Sequence, residues 1–170
     1  MKLKKLTFLA IMVAASLIMF LLEALIPIPI PMPGVKLGLS NIVSVCVLFL
    51  FGWKEAFAVL LLRILLGAII TGQLGGIVYS LCGGILSLAV LCLLRPVLKN
   101  SQLWVAGVLG GALHNIGQIG AAMVLTKTPA IIVYLPFLLL CGMAAGLFTG
   151  LCAQFLHQRL QKIKLLEDIL

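Results

Sequence analysis

Apolar residues run through this chain in long blocks instead of alternating, and polar residues interrupt them at few places. Blocks at 6–26, 39–51, 56–71, 77–94, 103–125 and 131–156 predict six helices, because a helix that crosses a bilayer needs about 20 mostly apolar residues. The second and third blocks are short for that task. The fifth carries the main exception, Gly107-Val-Leu-Gly-Gly-Ala-Leu-His-Asn-Ile-Gly-Gln118, which sets three polar side chains in the middle of an apolar run. At about 100° per residue, Gly107, Gly111, His114, Asn115 and Gln118 share one stripe of a helix. Polar groups facing lipid are costly and glycines let backbones approach closely. The stripe therefore predicts either a buried binding site or an interhelical hydrogen-bond clamp.

Composition turns these blocks into a membrane protein. With 64% of residues apolar and 9% charged, the chain is outside the range of soluble globular domains, and the fold class is an all-α integral membrane protein. Its formal charge of +8 would suit nucleic acid, but the placement of the charges excludes that partner. With the N-terminus inside, Lys2, Lys4, Lys5, Lys54, Arg95, Lys99, Arg159, Lys162 and Lys164 fall on the cytoplasmic side, and Lys36 and Lys127 outside. This positive-inside bias predicts both termini in the cytoplasm. The division is a six-helix transmembrane domain over 1–156 and a basic amphipathic tail over 157–170, lying at the interface or continuing the last span. The N-terminal Met-Lys-Leu-Lys-Lys resembles a secretory leader, but its apolar run continues to Ile26 without a small-residue cleavage site, so it is read as the first span. Cys46, Cys82, Cys92, Cys141 and Cys152 stand singly inside spans, which predicts free thiols.

Several further features bear on function. Ala10 and Ala14 lay a flat strip on the first helix, where another helix can pack. Prolines at 27, 29, 31 and 33 make a stiff non-helical strap on the outer side, either a lid over a site or an extended connector. Arg63 lies nine residues beyond Lys54, too deep for its side chain to reach the interface easily. It requires backbone carbonyls, Asn115, His114 or a bound anion, because no carboxylate is expected at its depth. Glu23 is placed near the outer end of the first span, paired with a cation or wetted. Small-residue strips at Gly76, Ser80, Gly83, Gly84 and Ser87, and again at Gly142, Gly146 and Gly150, are packing surfaces. Lys36, Asn41, Arg63, Tyr79, His114, Asn115 and Gln118 then form the expected small-molecule site, a pocket opening outward beneath the strap, with anionic or polar-aromatic ligands favoured. For Tyr79 the competing reading is an interfacial anchor.

Catalysis is not expected. Asp168 is the sole aspartate, so no acidic pair can hold magnesium on a diphosphate, and no glycine-lysine-serine loop can hold a nucleotide. No metal or other cofactor is expected. A proton-coupled carrier centred on His114 lacks both an inverted repeat and neighbouring acids.

Pro33-Gly-Val-Lys-Leu-Gly-Leu-Ser-Asn-Ile-Val43, Arg63, Tyr79-Ser-Leu-Cys-Gly-Gly84 and Gly110-Gly-Ala-Leu-His-Asn-Ile-Gly-Gln118 resemble the Gx transporter family, also labelled heptaprenyl diphosphate synthase component I. That family is itself similar to the substrate-binding S components of energy-coupling-factor (ECF) transporters. The resemblance implies an S-component-like bundle in a bacterial cell membrane, with the loop at 27–38 covering an outward pocket. It also implies docking of Ala10 and Ala14 on a separate transmembrane coupling component, with two ATPase subunits supplied in trans. The synthase label implies an alternative, a non-transporting membrane partner of polyprenyl diphosphate, quinone or redox enzymes, recruited through the tail.

Overall fold

The computed structural model describes residues 2–25 and 39–162. Those residues form six α-helices: α1 Lys2–Leu25, α2 Asn41–Leu50, α3 Trp53–Thr71, α4 Gly76–Leu94, α5 Leu103–Thr126 and α6 Leu135–Leu160. Short 3₁₀ turns at Asn100–Gln102 and Pro129–Tyr134 lead into α5 and α6. The expected six helices are present, and the all-α class holds among the described residues. The 27–38 strap and Lys36 lie outside the described residues, as does the tail beyond Lys162.

Glycine and proline set the breaks between helices. Gly52 has φ 114°, a conformation that L side chains rarely adopt, and it lets α3 follow α2 almost at once. Gly72 ends α3 in a left-handed conformation, the usual glycine role at a helix C-terminus. Pro136 sits in the first turn of α6, where its missing N–H removes no helical bond.

Span length departs from expectation. Residues 3–23, 76–94, 100–126 and 129–160 are long and apolar enough to cross a membrane. Helix α3 has 19 residues but carries Lys54, Glu55 and Arg63. Helix α2 has only 10, about 15 Å or half of the hydrocarbon core. Six helices are present, and four of them are long and apolar enough to cross a membrane. Val43 through Leu50 are all buried, so α2 is a half-length pillar in the centre of the bundle. Its apolar side chains meet Ala56, Val59 and Leu60 of α3 and Ala153 of α6 in one core, and the Cys46 thiol donates to the Ala153 carbonyl at 3.1 Å.

One end of the bundle collects the basic residues. Lys5 of α1 pairs with Glu55 at the start of α3 at 2.6 Å, Arg95 after α4 donates to the Phe49 carbonyl of α2 at 3.3 Å, and His157 of α6 packs edge-on against Phe49. Helices α1 and α3 thus begin at this end, and α2, α4 and α6 finish there. The start of α1 and the end of α6 lie at the same end of the bundle. Helix α6 runs unbroken past position 156, and His157 is only 1% exposed, so the first turn assigned to the tail belongs to the packed bundle. Large apolar side chains such as Leu65, Ile69, Phe148 and Phe155 are exposed, which suits a surface solvated by lipid.

Candidate functional site

Helix α5 lies between α4 and α6 and divides its polar stripe between them. Toward α6, Gly107 and Gly111 approach so closely that a Cβ on either would collide with the carbonyl oxygen of Gly146 or Gly142. One turn further, Asn115 donates from Nδ2 to the Leu138 carbonyl at 2.7 Å. Toward α4, a Cβ at Gly83 would lie 2.6 Å from the His114 carbonyl oxygen and 3.0 Å from Cγ of Gln118. The stripe therefore serves two interfaces, with Gly107, Gly111 and Asn115 on one and His114 and Gln118 on the other. For Asn115 the interhelical clamp is real, and the same residue also borders a cavity.

That cavity, about 20 Å³, is lined by Asn41 at the start of α2, Ser87 of α4, His114 and Asn115 of α5, and Thr149 of α6. A cavity of about 10–15 Å³ on this measure holds one water, so the space accommodates a small polar group. Among the described residues, no Asp, Glu, Lys or Arg lines the cavity.

Arg63 belongs to a different cluster. Arg63 is 6% exposed, and its guanidinium donates from Nη1 to the Ser40 hydroxyl. Ser40 also accepts, through its carbonyl, a 3.2 Å hydrogen bond from Ser16 of α1. Glu23 is 3% exposed, accepts the Leu39 amide at 3.1 Å, and supplies the opposing charge that acts on Arg63. The expectation of no carboxylate near Arg63 is therefore corrected, and of the two readings of Glu23 the pairing with a cation holds: Glu23 and Arg63 bind the adjacent residues Leu39 and Ser40. Arg63 faces a second cavity of about 20 Å³ together with Phe20, Thr71, Gln73 and Ser80.

The residues expected to form one pocket thus fall into two separate cavities. Asn41, His114 and Asn115 line the first and Arg63 the second. Gln118 is buried at the α4–α5 contact, Tyr79 is partly buried on α4 and lines neither cavity, and Lys36 lies outside the described residues. Ser16, Ser40, Ser87 and Thr149 were not anticipated as site residues, because isolated hydroxyls in apolar stretches carry no spacing signal. Ala10 and Ala14 are exposed on α1. All five cysteines are free, as expected, and no group of metal-ligating side chains occurs among the described residues.

The family model for heptaprenyl diphosphate synthase component I matches residues 12–156. The match takes in the Lys-Leu-Gly-Leu-Ser-Asn and His-Asn-Ile-Gly-Gln strings, and the chain belongs to that family. Comparison with curated proteins and with solved structures finds no match.

Proposed function

We propose that this family member works as the substrate-binding membrane subunit of an ECF-type uptake transporter, an S-component-like protein that captures a small polar or anionic molecule and carries no ATPase of its own. The observation that carries this reading is a pair of small polar-lined cavities in an otherwise apolar bundle, one bordered by Asn41 and the other by Arg63, which also donates to Ser40. Polar groups at that depth cost stability unless they serve packing or a ligand. Packing accounts for Asn115 through its bond to Leu138 but leaves part of the Arg63 fork unused. The exposed strip at Ala10 and Ala14 supplies a surface for the coupling component.

The test is isolation of the protein from native membranes in mild detergent, with identification of its partners and retained small molecules by mass spectrometry. A coupling subunit with an ATPase pair is the expected outcome. The family description favours a second reading, a membrane partner of a prenyl-chain enzyme, and recovery of such a soluble enzyme without ATPases would replace transport with recruitment.

A further inference from the structure

We infer that the cavity between α1, α3 and α4 is a carboxylate subsite, in which Arg63 receives the acid group of a small monocarboxylate. Nη1 of Arg63 is committed to Ser40, whereas Nε and Nη2 are buried without a hydrogen-bond partner among the described residues. Those two nitrogens form one edge of the planar guanidinium, and two parallel N–H bonds along an edge match the two oxygens of a carboxylate. A buried charged group with unmet donors costs several kcal/mol, and the cavity beside it places a ligand within reach.

Charge decides between oxyanions. Among the described residues lining this cavity Arg63 is the only cation, and the charge of Glu23 already acts on it. Beside the Arg63–Glu23 pair a phosphate dianion would leave two uncompensated negative charges and a monocarboxylate one, so the monoanion is the less costly guest. Gln73 and Ser80 add neutral hydrogen-bonding groups, and Phe20 adds an apolar wall. The volume of about 20 Å³ suits an acid head group, and the lining reaches Gln73 and Gly76 at the α3–α4 turn, where the rest of a ligand would emerge.

This subsite rests on the reading that the chain captures a small molecule, and one measurement separates the two. Thermal unfolding of the full-length protein in detergent is followed with sodium acetate, with acetamide as the neutral isostere, and with sodium chloride at matched ionic strength. Near-saturating acetate is expected to raise the midpoint by about 2–4 °C, while acetamide and chloride leave it in place and Arg63→Lys removes the acetate response. Equal shifts from acetamide or chloride, no acetate shift in the wild type, or an undiminished response in Arg63→Lys would overturn the assignment. Should Arg63→Lys fail to fold, the wild-type contrast of acetate with acetamide decides alone. Acetate binding by a chain that recruits no ATPases keeps the subsite and sinks transport. Assembly with ATPases but no acetate response sinks only the subsite.

Discussion

The glycines of α5 and α6 and the alanines of α1 share a four-residue spacing, yet the folded chain uses them in opposite ways. Gly107 and Gly111 are pressed so tightly against Gly146 and Gly142 that neither helix has room for a Cβ. Ala10 and Ala14 are exposed on α1 among the described residues. The opposite face of α1 buries Phe8, Met12 and Val13 in the core, and polar tethers run from Lys5 to Glu55 and from Ser16 to Ser40. Small-residue spacing marks a surface capable of close approach, and whether that surface is consumed within the chain depends on what stands opposite.

The largest expected effect comes from breaking the consumed seam. Gly111→Leu drives a side chain into the backbone of α6 and should cost about 3 kcal/mol or more, seen as loss of monodisperse protein after solubilisation. A normally folded Gly111→Leu protein would mean that the helices are not in contact there. Next, Asn115→Ala removes the bond to Leu138 and should lower stability by about 1–2 kcal/mol, read as a depressed unfolding midpoint. Measured beside it, uptake separates clamp from ligand contact: a stable but transport-dead variant assigns Asn115 to the site as well.

The tether at the basic end should contribute less, about 0.2–1 kcal/mol for an exposed pair. Hydrogen bonding from Lys5 holds the Glu55 carboxyl below its ordinary value of 4.5. The pair's contribution is therefore complete above that value and is lost as pH falls through the lower folded-state value. Glu55→Gln should flatten this part of the acid dependence of the unfolding midpoint, and an unchanged slope would show that the pair contributes nothing. Smallest of all on stability is Ala10→Trp with Ala14→Trp, expected within about 0.5 kcal/mol of wild type while assembly with a coupling component is abolished. A strong loss of stability would place the strip inside the fold, and intact assembly would move the docking surface elsewhere.

Helix number, helix order and the gathering of basic residues at one end were legible because each rests on a pattern that repeats along the chain. The half-length of α2 was not, since an apolar run does not disclose that its first residues sit in mid-bundle. The stripe of α5 was legible as an unusual face, but its division between α4 and α6 depends on neighbours 20 or more residues away in sequence. Arg63 stood out as a buried charge. Its partners Ser40 and Glu23 did not, because a serine in a turn and a glutamate near a helix end both have commonplace explanations that only three-dimensional proximity overrules.

The short central helix also has a consequence for how the protein is made. Ten residues are too few to be released into lipid as an independent segment during synthesis, and α3, two residues further on, carries Arg63. The two should enter the bilayer as a hairpin folded at Gly52, sheltered by α1. Because α2 packs against Ala153 and His157, its burial is complete only when the last helix has emerged from the ribosome. Chains stalled before α6 should therefore expose α2 and be the preferred targets of membrane quality-control proteases.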